Sequence, residues 1–292
     1  MIKAVLVDMD GTLLNEYGKI TEHTAEVIRK FQKKGGIFAI NTGRGYQTAS
    51  KLLKEAKIDC DYICLSGAGI YDAEGNCLHS DHMSSEEVAL VRKIEKKYDL
   101  YTNYLTDIGA FCEGSKERAE AHYLMEAEIL ANEAGETIND KETALKRYQG
   151  ILNYIQYDSN IEEIVSKQTV FKMAIMAKDM ETLMLAKEEF KSYPEFAVAS
   201  TFKTNIEVNS SRVDKGLASI KYIESKGLSM DEVMVVGDSE NDYAMLIQPF
   251  GMRVAMENAD EEIKKICTHE TLSNREDGVA YAIEKWALET EK

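Results

Sequence analysis

The chain has 292 residues, more than one compact core usually holds, so two domains are expected. Its composition, 44% hydrophobic and 29% charged with two prolines, is that of an ordinary globular protein. A formal charge of -16 argues against a surface for nucleic-acid phosphates or anionic lipid, since both need basic patches.

The first 83 residues alternate strand and helix. Ala4–Val7 is a short apolar run that reads as a buried strand and ends in Asp8-Met-Asp10-Gly-Thr12. Thr21–Lys34 reads as a helix, with Ala25, Ile28 and Phe31 at helical spacing and Gly35-Gly36 as its stop. Ile37–Ile40 is a second buried strand ending in Asn41-Thr42-Gly43-Arg44; Tyr46–Ala56 is helical and Tyr62–Leu65 is a third strand. Such alternation implies parallel strands joined by right-handed crossovers.

The middle differs. Ser84 with Glu87 forms a capping box that opens a helix over Ser84–Lys97. Strand-like pieces at Leu100–Tyr104 and Ala110–Cys112 precede a helix near Lys116–Asn132; Phe171–Met176 alternates as a half-buried strand and Met180–Lys191 is helical. Phe196–Ser200 with Asn205–Val208 reads as an antiparallel pair. The α/β pattern then returns: a helix over Lys215–Ser225, a strand Glu232–Val236 ending in Gly237-Asp238, a helical turn Asp242–Gln248, a strand Gly251–Ala255 and a closing helix Val279–Leu288. The expected fold is α/β, a Rossmann-like parallel-sheet core (1–83 and 208–292) with an inserted α+β segment (84–207).

Five cysteines (60, 64, 77, 112 and 267) form no CxxC pair and no zinc spacing, a pattern of free thiols in a reducing compartment. The N-terminus opens directly into a strand without a leader pattern, and no apolar run reaches the roughly 18 residues of a membrane span. A cytoplasmic protein is expected.

Four strand or helix ends carry the chemistry: Asp8/Asp10/Thr12, Thr42/Gly43/Arg44, Lys215, and Asp238/Asn241/Asp242. If the strands are parallel, all four meet at the carboxyl edge of the sheet, where open α/β sheets bind ligands. If the strand geometry persists, Asp8 and Asp10 point to one side, and two close carboxylates call for a cation. Asp8 can attack phosphorus as an anionic nucleophile. The oxygen donors of Asp8, Asp10 and Asp238, with a backbone carbonyl, suit Mg²⁺. Thr42 and the Gly43 amide can hold phosphate oxygens at a helix start. Lys215 supplies fixed positive charge, and Asp10 can protonate the leaving oxygen and later deprotonate water.

Each group alone has a plainer reading: Asp-x-Asp-Gly as a turn, Thr42 as an N-cap, Lys215 as a surface lysine, Asp238 and Asp242 as helix-start residues. Their conjunction favours phosphoryl transfer. An EF-hand is excluded, because its sixth position needs Gly and holds Leu13. Gly67-Ala-Gly69 lacks the third Gly of a dinucleotide fingerprint, and no P-loop is present.

These runs resemble the motifs of the haloacid dehalogenase superfamily. Asp8-Met-Asp10-Gly-Thr12-Leu-Leu is similar to its first motif, with nucleophile and then acid/base. Asn41-Thr-Gly-Arg44 resembles the second, in which Thr42 binds phosphate, and Val213-Asp-Lys215-Gly216 the third, with Lys215 as the cation. Gly237-Asp238-Ser-Glu-Asn241-Asp242-Tyr-Ala-Met245 resembles the fourth, where Asp238 binds Mg²⁺ and Asn241 and Asp242 secure the site. Gly251-Met-Arg-Val-Ala-Met256-Glu-Asn-Ala259 and Glu276-Asp-Gly-Val-Ala280 are similar to the tail of the Cof-type, subfamily IIB phosphatases, which carry a C2B cap. Ser66-Gly67-Ala68, where that group commonly has Asn-Gly-Ala, and Glu257, where it has Gly, depart from the pattern and bear on substrate contacts.

The resemblance makes 84–207 a cap whose closure excludes water. Within it Tyr101, Tyr104, Phe111, Tyr154 and Tyr157 are expected in core packing rather than a pocket, and Arg92, Arg118 and Arg147 at exposed helix positions rather than on a second anion. The implied activity is a Mg²⁺-dependent phosphatase for a small phosphorylated metabolite, with Asp8 forming an aspartyl-phosphate. A phosphomutase on the same scaffold and a catalytically silent phospho-ligand sensor are the alternatives.

Overall fold

The structure, a computed structural model, describes residues 1–133, 137, 138, 140–200 and 203–288. Contacts divide the chain into two units, Met1–Asp81 with Val213–Lys292, and His82–Arg212. The seams lie a few residues from the expected 83/84 and 207/208.

The first unit begins β1 (Ala4–Val7), α1 (Glu22–Lys33), β2 (Ile37–Asn41), α2 (Tyr46–Glu55), β3 (Asp61–Cys64), β4 (Gly69–Tyr71) and β5 (Cys77–Ser80). All four residues of β1 are buried. Thr21 caps α1 by accepting a hydrogen bond from the Thr24 amide, and Ala25, Ile28 and Phe31 lie on its buried side. Gly35 ends the helix in the left-handed region, at φ +89°.

The second unit contains α3 (Ser85–Tyr98), β6 (Tyr101–Thr106), β7 (Gly109–Glu113), α4 (Lys116–Glu133), α5 (Lys141–Lys146), α6 (Gln149–Tyr154), β8 (Ile155–Asp158), α7 (Ile161–Lys167), β9 (Val170–Met176), α8 (Met180–Lys191), β10 (Phe196–Ala199) and β11 (Ile206–Ser210). Its six strands run in the order β10-β11-β9-β6-β7-β8, antiparallel except for β7 with β8. Strand alternation gives the sheet two apolar faces. Tyr104, Phe111, Met173 and Val208 pack with Val91 of α3 and Phe190 of α8, whereas Tyr101, Cys112 and Ile155 pack with Tyr123 of α4 and Leu152 of α6. Tyr101, Tyr104 and Phe111 are thus core residues, Tyr157 packs at the margin, and Tyr154 is exposed.

Arg92 corrects the expectation of an exposed helix position. Its side chain is 5% exposed and donates to Glu95 (2.6 Å), Glu113 (2.8 Å), Glu162 (3.0 Å) and the Tyr104 hydroxyl (3.2 Å). Three carboxylates are what make burial of this guanidinium tolerable. Arg118, bonded to Asp99 and the Leu100 carbonyl, and Arg147, over the Tyr148 ring, stay at the surface.

The chain returns to the first unit with α9 (Lys215–Ser225), β12 (Val233–Gly237), α10 (Tyr243–Leu246), β13 (Met252–Ala255), α11 (Glu261–Ile266), β14 (His269–Glu270) and α12 (Gly278–Ala282), which continues as a wider turn through Leu288. The eight-stranded sheet has the order β14-β13-β12-β1-β2-β3-β4-β5. Its strands are parallel from β14 to β3, and β4 and β5 extend it antiparallel. All five cysteines are free; Cys60, just before β3, and Cys64, its last residue, are buried. Among the described residues no helix is long and apolar enough to cross a membrane.

Candidate active site

Register brings the polar strand ends together. Val7 of β1 lies opposite Ile40 of β2 and Val236 of β12, so Asp8 leaves the sheet level with Asn41 and Gly237. Lys215 enters beside them as the first residue of α9, whose cap Asp214 accepts from the Leu217 amide (2.7 Å). The Asn41 side chain fastens β2 to this helix by donating to the Lys215 carbonyl (3.0 Å) and Ser219 Oγ (2.8 Å).

Asp8 is 2% exposed. Its Oδ1 accepts from Lys215 Nζ at 2.6 Å, whereas Oδ2 is buried without a partner. Burial, followed by the charges of Asp242 and Asp238, pushes the Asp8 carboxyl well above its ordinary pKa, and Lys215 pulls it back. Lys215 spends its remaining donors on Asp242 Oδ1 (2.7 Å) and Asn241 Oδ1 (3.3 Å). Burial would lower the ammonium, but Asp242 and Asp8 carry it above its usual value.

Asp242 is 0% exposed and works on both sides. While Oδ1 holds Lys215, Oδ2 accepts from the backbone amides of Asp238 (2.9 Å) and Ser239 (3.2 Å). The close approach needs Gly237, since a Cβ there would lie 2.7 Å from the Asp242 carboxyl. Asp238 accepts from Thr12 Oγ1 at 2.6 Å. Burial first and Asp242 second push its carboxyl up to about 7. Gly11, at φ +83°, lies so near that a Cβ would sit 2.4 Å from Asp238 Oδ2.

Asp8, Asp238 and Asp242 can each offer a carboxylate oxygen within 4.8 Å of the others. An unpartnered buried oxygen on Asp8, all-oxygen donors and one ammonium against three carboxylates fit a hard divalent cation. The Asp10 side chain, expected on the same side as Asp8 and among the metal positions, is outside this cluster. The chain leaves the strand at Asp8: Leu13 N donates to the Asp8 carbonyl, Leu14 N to that of Met9, and Gly11 turns left-handed. The period-two rule therefore stops one residue too early to align the two carboxylates. Asp10 is instead gripped by Arg44, with Nε on Oδ2 (2.8 Å) and a terminal nitrogen on Oδ1 (2.6 Å).

Thr42 is buried at the end of β2, and its Oγ1 accepts from the Arg44 amide (3.1 Å), closing the turn that contains Gly43. The arrangement presents a buried carboxylate with one free oxygen, a cation, an acidic cluster and a hydroxyl-lined turn. A carboxylate so placed is able to serve as a nucleophile, and the acidic cluster is able to hold a cation.

A family model for haloacid dehalogenase-like hydrolases matches residues 5–283. The chain belongs to the haloacid dehalogenase-like hydrolase family. A 5-amino-6-(5-phospho-D-ribitylamino)uracil phosphatase of Bacillus subtilis is 30% identical over 292 residues, covering 98% of this chain and 96% of its own. A solved haloacid dehalogenase-like hydrolase of B. subtilis shares the fold at a TM-score of 0.84 and 23% identity, over 98% of this chain and 100% of that one. So does a subclass IIB sugar phosphatase of the family, at a TM-score of 0.76 and 22% identity, over 98% of this chain and 99% of that one. This hydrolase is an enzyme of the phosphatase type.

Residues that motif reading passed over support the loop after β1. Asn258 Nδ2 donates to the Gly11 carbonyl and Asn274 Nδ2 to that of Leu14, both at 2.8 Å. The only sequence signal for Asn258 was its place in the 251–259 run, and an isolated asparagine such as Asn274 carries none.

Proposed function

We propose that this hydrolase is a Mg²⁺-dependent phosphomonoesterase for a small phosphorylated metabolite, of the sugar-phosphate kind, acting through an aspartyl-phosphate on Asp8. The observation that carries the reading is the Asp8 carboxylate: wholly buried, one oxygen fixed by Lys215 and the other free to form a bond. In the first half-reaction an Asp8 oxygen bonds to phosphorus while the bond from phosphorus to the leaving oxygen breaks. Asp10 gives that oxygen its proton. In the second half, water attacks phosphorus, Asp10 takes back a proton, and phosphate leaves with Asp8 restored.

Asp8 and Asp238 would hold the cation, with the backbone at Asp10 as a further oxygen donor because its carboxylate is on Arg44. When bound, Mg²⁺ supplies positive charge against the transferring phosphoryl oxygens. Lys215 keeps Asp8 oriented and partly neutralised, while Asp242 and Asn241 keep Lys215 in place. Thr42 and the Gly43 amide are the phosphoryl-binding groups in this scheme, while the Thr12 hydroxyl, expected to join them, donates to Asp238.

We assign the second unit, the expected 84–207 and observed His82–Arg212, the role of a specificity cap. The metabolite class rests on the B. subtilis relative, a phosphatase of a phosphorylated ribityl compound. Five free cysteines fit a reducing, cytoplasmic setting.

The test compares wild type with Asp8→Asn on 4-nitrophenyl phosphate and a panel of sugar phosphates, with Mg²⁺ and after chelation. Wild type is expected to release phosphate roughly 10⁴-fold faster than the variant or more, the scale of losing a nucleophile, and to lose turnover on chelation. If wild type is no faster than Asp8→Asn on the whole panel, the enzymatic reading fails and a silent sensor takes its place. An isomerised phosphate ester instead of free phosphate identifies a mutase.

A further inference from the structure

The loop that carries Asp10 is held in place by the far end of the chain. Within the loop the backbone closes on itself through Leu13 N to the Asp8 carbonyl (3.2 Å), Leu14 N to the Met9 carbonyl (2.9 Å) and a bridge between Asp10 and Leu14. The Gly11 and Leu14 carbonyls are each taken by an asparagine more than two hundred residues away in sequence, Asn258 and Asn274, at 2.8 Å. The two asparagines are linked, because the Asn274 amide donates to Asn258 Oδ1 at 2.9 Å. This linkage orients the Asn258 side chain, whose oxygen faces an N–H and whose nitrogen faces a carbonyl.

Asn274 projects from a turn with little freedom of its own. Glu276 N and Gly278 N both donate to the Ser273 carbonyl at 3.0 Å, and Thr271 Oγ1 donates to that of Gly278 at 2.6 Å. Asp277 in the same turn accepts from Thr21 Oγ1 (2.5 Å) and Thr24 Oγ1 (3.0 Å) at the start of α1. On its other side the loop presses Gly11 against Asp238 and sends the Thr12 hydroxyl to the same carboxylate. The loop is thus fixed by its carbonyls from the C-terminal segment and by its side chains from the site.

We propose that Asn258 and Asn274 are positioning residues for Asp10, fixing the Gly11 and Leu14 carbonyls so that the Asp10 carboxylate stays in register for proton transfer. The proposal rests on the reading of Asp10 as acid and base. Arg44 grips the Asp10 carboxylate and Asp238 holds the Thr12 hydroxyl, but neither fixes the Gly11 and Leu14 carbonyls. Without the two asparagines the backbone that carries Asp10 has more room to shift, and proton transfer is lost with small displacements. The defect falls on the step in which the proton moves from Asp10 to the leaving oxygen as the phosphorus–oxygen bond breaks. It is felt most with a poor leaving group, which needs that proton, and least with a good one.

The experiment is single-turnover release of the alcohol at saturating Mg²⁺ from phenyl phosphate and from 4-nitrophenyl phosphate. The variants are Asn258→Asp, which keeps the acceptor for Asn274 and loses the donor to Gly11, and Asn274→Ala. Both are made in the wild-type and Asp10→Asn backgrounds. Each is expected to slow phenyl phosphate about five- to tenfold and 4-nitrophenyl phosphate less than about twofold, the scale of one lost hydrogen bond. In the Asp10→Asn background the phenyl phosphate defect should disappear, because the group being positioned is gone. Equal slowing of both substrates, or a defect that persists at full size without Asp10, overturns the proposal. If Asp10→Asn itself slows both substrates equally, the acid/base reading fails first, and that result is distinguishable from failure of the positioning role.

Discussion

Asp242→Asn is the sharpest probe of how this site is built. The substitution keeps volume and shape at a fully buried position. The native carboxylate accepts on both oxygens, from Lys215 Nζ on one and from the Asp238 and Ser239 amides on the other. A carboxamide has one oxygen and one donating nitrogen. In one orientation its NH₂ faces the ammonium, and in the other it faces two backbone N–H groups. Either way a charge-assisted bond is lost and a buried donor is left without an acceptor, together roughly 2–4 kcal/mol. Relief of repulsion on Asp8 and Asp238, both raised by Asp242, offsets part of this. The metal-free variant should therefore melt roughly 5–15 °C below wild type. It should also gain less from Mg²⁺, since the acidic cluster drops from three carboxylates to two. A variant that melts within about 1 °C of wild type, with an unchanged Mg²⁺ response, would refute the assignment of Asp242 as the brace for Lys215.

Two further outcomes follow from the geometry. Asp238 sits at about 7 in the metal-free protein, above the ordinary carboxyl value, so between about pH 4 and 7 the folded state binds more protons than the unfolded one. Metal-free stability should fall as pH rises through that window, and because Mg²⁺ competes with this proton, the melting shift it produces should grow from pH 6 to pH 8; a shift independent of pH removes Asp238 from the metal site. In the second unit, Arg92→Leu leaves Glu95 buried without its cation and should destabilise the unit by about 3–5 kcal/mol, whereas Arg92→Leu with Glu95→Met should cost less than the single change; urea unfolding of the two variants checks the order, and a double variant worse than the single contradicts a buried-charge origin.

The sequence was most readable where burial and periodicity coincide. β1, β2, α9 and β12 have apolar runs with clear ends, and parallel pairing then forces Asp8, Thr42, Lys215 and Asp238 to one edge. The hairpin β4–β5 was not legible, because Gly69–Tyr71 is three residues long and Cys77–Ser80 is exposed, so neither shows alternation. The short helices α5 to α7 and β8 were missed for a similar reason: each has too few turns or residues to display a period. Strand alternation does not carry from Asp8 to Asp10, because the chain turns at Gly11 and the Asp10 carboxylate lies on Arg44. Arg92 was misjudged because its partners Glu113 and Glu162 come from β7 and α7, contacts invisible to local pattern. The residues at positions 134–136, 139, 201, 202 and 289–292, within the expected insert and core segments, lie outside the described structure.

The place of β1 at the middle of the first sheet has a consequence for how the chain is made. Its neighbour on one side, β2, emerges soon after it, but on the other side Ala4 waits for Val233. Until β12 is synthesised, one edge of an entirely apolar strand has no partner, a state that invites wrong pairings. The unit that closes over its own sequence, His82–Arg212, is complete before that edge can be sealed. The Asp8 carboxylate, eighth in the chain, therefore gains its neighbours Lys215, Asp238 and Asp242 only after the whole of 82–212 has been made.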